Sequence, residues 1–313
     1  MSHDIGPQNP SDKPDRFLAR MRFHQSWYRA SQLGIGWGQN QQGKELGNIL
    51  SPEDARKGFN FYSEAIATLA ERCRLSNPEG IKQFRLERNL LSSQPMCFNL
   101  FGPMALRNEW RLRFVRALTG RSVTDVTRVE FEYAPEPKSD YLNDKTAFDI
   151  FIEYVGGDGQ LGFIGIEAKL SEPFSPTRVR LDAAGKNYRR WLDAPGAPWK
   201  LNRHDSFETT AYNQLWRDHM LAFALKKAGP ERYASGELFL VHHQDDRKTA
   251  QALARYRAVL KDTDSTLTDM PLDELLTRWR PIVDGTELQP WHTAIEQRYV
   301  DLSGSGADWD ARE

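Results

Sequence analysis

A chain of 313 residues, 39% hydrophobic and 27% charged, is long enough to bury a large α/β core without a disulfide framework. Its formal net charge of −1 excludes a globally basic protein, and no run approaches the roughly 18 apolar residues that a membrane span requires. The two cysteines, Cys73 and Cys97, form no C-x-x-C spacing, which favours a reduced, cytoplasmic setting over a secreted one.

Residues 1 to about 16 are polar and carry Pro7, Pro10 and Pro14, so disorder is expected there, and residues 1–50 read as an arm on the main domain. The Gly34-x-Gly36-x-Gly38 run lacks the strand before it and the helix after it that a dinucleotide loop demands. Ser51-Pro52-Glu53-Asp54 combines a serine cap, a proline at the first helical position and early acids, predicting a helix to about Leu75. Asn77-Pro78-Glu79 starts a second, to about Leu91. The stretch Ser92 to Pro103 is expected to leave the helix at Pro95 and to approach an active centre, and a third helix covers about Met104 to Leu118.

The charge is uneven. Between Glu71 and Arg121 arginine and lysine outnumber acids, with Arg107, Arg111, Arg113 and Arg116 clustered, whereas acids dominate from Asp262 onward. A local basic face of this kind is what phosphate binding needs.

Thr127 to Tyr133 alternates Val129, Phe131 and Tyr133 with Arg128, Glu130 and Glu132, which predicts a strand. Next, Phe148 to Tyr154 and Leu161 to Leu170 flank the turn Gly156-Gly157-Asp158-Gly159, a hairpin signal. Period-two spacing sets Ile164, Ile166, Ala168 and Leu170 on one face and Gly165, Glu167 and Lys169 on the other. A carboxylate and an ammonium in an otherwise apolar strand are costly to desolvate unless they pair or bind an ion. Asp149 brings a second carboxylate across the hairpin, giving a hard-cation site with a lysine beside it.

Residues 171 to 205 form a proline-bearing insertion with a helical piece near Arg180 to Leu192. Asp205-Ser-Phe-Glu208 has capping-box form and predicts a helix to about Lys227, carrying Gln214 and Arg217 on one face. Glu237 to His242 reads as a strand, Lys248 to Leu260 as a helix, and shorter helices follow at 271–279 and 290–301. His242-His243 near Asp245 and Asp246 matches no zinc pattern, and no Walker loop or Gly-x-Ser-x-Gly elbow is present.

Asp149 followed after a short hairpin by Glu167-Ala168-Lys169 resembles the signature of the PD-(D/E)XK, or restriction-endonuclease-like, superfamily, with Ala147-Phe148 standing where the name-giving version has a proline before the aspartate. The resemblance implies an α/β fold, an αβββαβ core with a mixed central sheet flanked by helices, spanning roughly residues 78 to 245 inside a nuclease domain of residues 51–313 with N- and C-terminal helical additions. It implies Mg²⁺, with Mn²⁺ as a substitute, held by Asp149, Glu167 and the carbonyl of Ala168, while Lys169 orients the attacking water. An extra acid from the helix before the sheet is expected in this superfamily; Glu87 is the candidate and Glu109 competes. Gln214 resembles the glutamine that several branches place on the following helix, and Gln94, Asn99, Arg111 and Arg217 are the candidate substrate contacts.

The implied activity is hydrolysis of DNA, endonucleolytic before exonucleolytic, with no membrane partner and with a homodimer left open. The alternatives are an RNA or branched-DNA nuclease, or a non-catalytic nucleic-acid-binding or interaction module. Retention of Asp149, Glu167 and Lys169 together argues against the last.

Overall fold

The computed structural model describes residues 4–175, 178–208, 211–228 and 233–311. In chain order its helices and strands are α1 (Arg16–Tyr28), β1 (Gly38–Gln39), β2 (Glu45–Leu46), α2 (Pro52–Arg56), α3 (Glu64–Ser76), α4 (Gln83–Arg88), α5 (Ser93–Leu106), α6 (Asn108–Thr119) and β3 (Val123–Tyr133). Then come β4 (Phe148–Gly156), β5 (Leu161–Lys169), α7 (Tyr188–Leu192), α8 (Asn213–Ala228), β6 (Ser235–His242), α9 (Arg247–Arg257), β7 (Leu267–Pro271), α10 (Leu272–Val283), α11 (Gln289–Tyr299) and α12 (Gly306–Asp310).

A five-stranded mixed sheet in the order β3-β4-β5-β6-β7 forms the centre. The pairs β3–β4 and β4–β5 are antiparallel, whereas β5–β6 and β6–β7 are parallel, because the chain crosses over through α8 and then α9. The hairpin forms as its glycines dictate. Gly159 adopts φ +77, and Asp158 Oδ1 accepts the Gln160 amide at 3.1 Å to close the turn.

Helices cover both faces. On one, Ile164, Ile166 and Ala168 meet α5, α6, α10 and α11 in a core where the Phe114 ring stands edge-on to Trp279 at 4.9 Å. On the other, Phe163, Phe151 and Leu240 pack under α8 with Trp216, Trp199 and Tyr256. The expected separation of faces in β5 is present, yet the face bearing Glu167 and Lys169 is as closed as its opposite, since α8 and the insertion lie over it.

Several local expectations are corrected. The helix expected over 51–75 is two, α2 and α3, broken where Gly58 turns at φ +79. The helix expected over 77–91 shrinks to α4, because the Asn77 side chain accepts the Gly80 amide and forms a turn instead. Pro95 does not break the chain out of helix. It is the third residue of α5, where a backbone N–H has no intrahelical acceptor to lose, and Ser92 caps the helix start. Residues 201–208 form a 3-10 turn and the α-helix begins only at Asn213, with Glu208 accepting the Leu181 amide at 3.1 Å rather than closing a capping box; Thr209 and Thr210 lie outside the described residues. Strand β7 is an element the periodicity missed, since Leu267-Thr-Asp-Met-Pro271 is short and carries an acid.

The arm is tied to the body. Ile5 and Asp12 are buried, and the enclosed Arg29 guanidinium donates to the carbonyls of Asp4, Ile5, Ile35 and Gly47. Helix α1 meets the C-terminal segment through Arg20 to Leu302 O at 2.5 Å, His24 to the Gln297 carbonyl, and Gln25 to the Arg298 carbonyl at 2.7 Å.

Candidate active site

The ladder between β4 and β5 starts at Ile150↔Ile166, so the strands are already parting at Asp149. There the side chain substitutes for the sheet: Asp149 Oδ2 accepts the Ala168 amide at 2.8 Å. The parted end opens into a cleft of about 560 Å³ lined by, among others, Glu132, Asp149, Glu167, Lys169, Gln214 and Asp218.

Within it Glu167 and Lys169, two apart on β5, form an ion pair of 2.7 Å while almost fully buried (3% and 7% exposed). Gln214 on α8 joins them. Its Oε1 accepts the Lys169 ammonium at 3.1 Å and its Nε2 donates to Glu167 at 2.6 Å, the only orientation possible because an ammonium has no acceptor. The same Oε1 accepts the Ser175 amide at 3.1 Å, which fixes the insertion to the site.

The electrostatics of the cleft favour positive charge. Burial and then the neighbouring Glu167 and Glu132 carboxyls push Asp149 well above the usual carboxylate range. Burial and Glu167 push Glu132 up to about 7. Burial opposes the charge on Lys169, but Glu167 and Asp149 outweigh it, so its pKa stands above the ordinary value. These carboxylates hold Lys169 as an ammonium, able to donate a hydrogen bond and to balance charge. Asp218, one turn beyond Gln214, is buried with its Oδ2 unpartnered, and burial and Glu167 raise it as well.

Buried oxygen donors of this kind suit a hard divalent ion, for which Asp149, Glu167 and the Ala168 carbonyl are the groups of the right chemistry. Among the described residues no three acidic, histidine or cysteine side chains already stand together as a complete ligand set.

The other expected residues scatter. Glu87 accepts from Gln83 at 3.1 Å and lies 3.5 Å from Arg74 on α4, outside the cleft, and Glu109 is exposed at the start of α6. Asn99 is a core residue, bonded to the Tyr62 amide, the Asn60 carbonyl and the Tyr299 hydroxyl. Arg111 closes the end of α5 on the carbonyls of Met104 and Ala105, while Arg107 pairs with Glu287 and Arg116 bonds the Val123 carbonyl. Arg111 and Arg116 thus bind carbonyls left unpaired at helix and strand ends. The cations that line the cleft are instead Arg85, Lys145, Lys169 and Arg217. Arg217 bonds Thr146 at 2.9 Å and stands 3.6 Å from Asp144. Gln94 contacts the acid Glu132 at 3.3 Å and the Gly80 carbonyl at 3.0 Å.

Sequence reasoning missed Glu132, Glu172 and Asp218. Glu132 was visible only as a polar position on the strand beside the hairpin. Glu172 ties the cleft to the start of α5, accepting from the Ser93 amide at 2.7 Å and facing Arg85 at 3.2 Å.

Since Gln214 bridges Glu167, Lys169 and the Ser175 amide, Gln214→Ala is expected to slow turnover by about 10- to 1000-fold and to lower the melting temperature by about a few degrees, because each partner loses a bond. Wild-type kinetics in this variant would remove the bridge from the catalytic machinery.

No curated protein and no solved structure matches the chain. The family model of the PD-(D/E)XK nuclease superfamily matches residues 10–301, reaching from the arm through α11 and taking in the sheet and both walls of the cleft. With the parted β4–β5 hairpin, the Asp149 and Glu167-Ala168-Lys169 signature and a match over nearly its whole length, the chain belongs to the PD-(D/E)XK nuclease superfamily.

Proposed function

We propose that the protein is a Mg²⁺-dependent deoxyribonuclease that cuts within DNA strands. The observation that carries this reading is the enclosed Glu167–Lys169 pair beside Asp149 at the parted end of a hairpin, in a cleft whose walls carry Arg85, Lys145 and Arg217. A divalent ion bound at Asp149, Glu167 and the Ala168 carbonyl would supply Lewis acidity and a water of lowered pKa. Lys169, held charged by Glu167 and steered by Gln214, orients the attacking water and offsets negative charge as the phosphorane-like state develops. Arg85 and Arg217 meet the flanking phosphates, and Asp144 with Thr146 keeps Arg217 facing the cleft.

The test is an assay of purified protein on supercoiled plasmid, linear duplex, single-stranded DNA and RNA, with Mg²⁺, Mn²⁺ or EDTA. Nicked and linearised plasmid with Mg²⁺, and none with EDTA, is expected. Shortening of linear DNA with intact circles would make the enzyme an exonuclease, and cleavage of RNA alone would move it to that substrate. Binding without hydrolysis under every condition would leave an interaction module.

A second expectation follows from the placement of the cations. DNA affinity of the inactive Asp149→Asn variant should fall steeply with salt, and adding Arg85→Ala and Arg217→Ala should lower the slope of log affinity against log salt by about 1 to 2. Charge reversal at Arg113, whose guanidinium lies over its own Trp110 ring at 5.1 Å, should leave the slope unchanged. The opposite pattern would return phosphate binding to the α6 face.

A further inference from the structure

Glu132 lies on β3 across from Asp149, between the paired positions Phe131↔Ile150 and Tyr133↔Phe148. Its backbone is left-handed, at φ +50. Among the described residues the only other non-glycine with positive φ is Asn143, a residue type that tolerates this region through local hydrogen bonds, whereas a glutamate there costs on the order of 1–3 kcal/mol. Two side chains from outside the sheet hold the distortion in place. Asn77 donates to the Glu132 carbonyl at 3.4 Å, and Gln94 donates to Glu132 Oε1 at 3.3 Å.

The Glu132 carboxyl lines the cleft beside Asp149 and Glu167, and among the described residues it forms no ion pair. Burial and then Glu167 work against its ionisation, while the Gln94 hydrogen bond and the charges of Arg85 and Lys169 favour it. A strained backbone and two tethers thus hold in the cleft a carboxyl with no ion pair of its own among the described residues. They are accounted for when positive charge enters the cleft, and the unpartnered, 3% exposed Asp218 oxygen on the opposite wall points to the same deficit.

We infer that Glu132 is a further carboxylate of the cation site, contributed by the neighbouring strand and acting on the ion's retained waters, and that Gln94 is its positioning residue. The inference rests on the nuclease reading above and assigns it a residue that the hairpin signature does not contain. The outer-sphere role accords with the reluctance of Mg²⁺ to lose its waters. The neutral amide of Gln94 aims the carboxyl without neutralising it, as a lysine in its place would.

The experiment is Mn²⁺ binding to metal-free protein at pH 7.5, followed by calorimetry and by the electron-spin signal of free Mn²⁺, with melting curves for every variant. Glu132→Gln and Glu132→Ala should weaken binding about tenfold, Gln94→Ala several-fold, and Asp149→Asn more than either, with no fall in metal-free melting temperature for Glu132→Gln. Wild-type Mn²⁺ affinity in both Glu132 variants, with Asp149→Asn impaired, would overturn the inference and leave the nuclease reading standing. Wild-type affinity in Gln94→Ala alone would overturn the role of Gln94. An absence of Mn²⁺ binding by the wild type would overturn the nuclease reading and this inference together.

Discussion

Asp149→Asn, Glu167→Gln and Lys169→Ala are each expected to lower hydrolysis at least about a thousandfold, equivalent to about 4 kcal/mol of transition-state stabilisation. The effect is large because the three groups act as a unit. In the proposed mechanism the two carboxylates would hold the ion and its water, and the ammonium, 2.7 Å from Glu167, would orient that water. The losses should not add, so a double variant should be little worse than either single one. Stability separates the three. Asp149→Asn and Glu167→Gln are isosteric, and Asp149→Asn removes a charge that burial and neighbouring acids already oppose, so its metal-free melting temperature should hold or rise. Lys169→Ala leaves Glu167 buried without its counter-charge, a change that costs about 3–5 kcal/mol in enclosed pairs. The combined Glu167→Gln and Lys169→Met variant should recover that stability and stay inactive. Full activity in Asp149→Asn, or cleavage undiminished by EDTA, would sink the metal mechanism; measured rates and melting curves of these four proteins decide it.

Gly165→Val should cost about 3 kcal/mol and lower the melting temperature on the order of 5 °C, with a parallel loss of activity. A Cβ at Gly165 would stand 2.5 Å from the Cδ1 and Cε1 atoms of Phe148, far inside contact distance. Phe148 cannot move freely, because its ring is buried and stacks on Phe151 at 6.4 Å. It also immediately precedes Asp149, so displacing the ring shifts the carboxylate that takes the Ala168 amide. The activity of Gly165→Ala should fall more than its stability, because a small shift of Asp149 misplaces the site before it unfolds the sheet. Denaturant midpoints and turnover measured on the same preparations test this, and a Gly165→Val protein with wild-type values for both would show that the strands relax without moving Asp149.

What the sequence determined by itself is local. The glycine turn, the alternation along Leu161 to Leu170 and the placement of Asp149 against Glu167 and Lys169 all follow from strand period and turn chemistry, which act over a few residues. The order of strands and helical stretches was legible for the same reason, and the mixed sheet with helices on both faces followed from the family resemblance that this order supports. The spacing put Gln214 and Arg217 on one helix face, and the family resemblance pointed that face at the site.

Tertiary structure decided everything that depends on which distant groups meet. Glu87 fits a helix-borne acid in every local respect, but the fold sets it beside Arg74, whereas Glu132 lines the cleft from a left-handed position that no residue pattern announces. The arginines of α6 have the composition of a phosphate-binding face, yet unpaired carbonyls at the ends of α5 and at Val123 claim Arg111 and Arg116. Pro95 follows the same logic. It forbids a helix interior and permits a helix start, and only the cap from Ser92 decides between them. Propensity and periodicity fix what a segment prefers, whereas the desolvation of buried polar groups, satisfied only across long sequence separations, fixes which of them face the cleft.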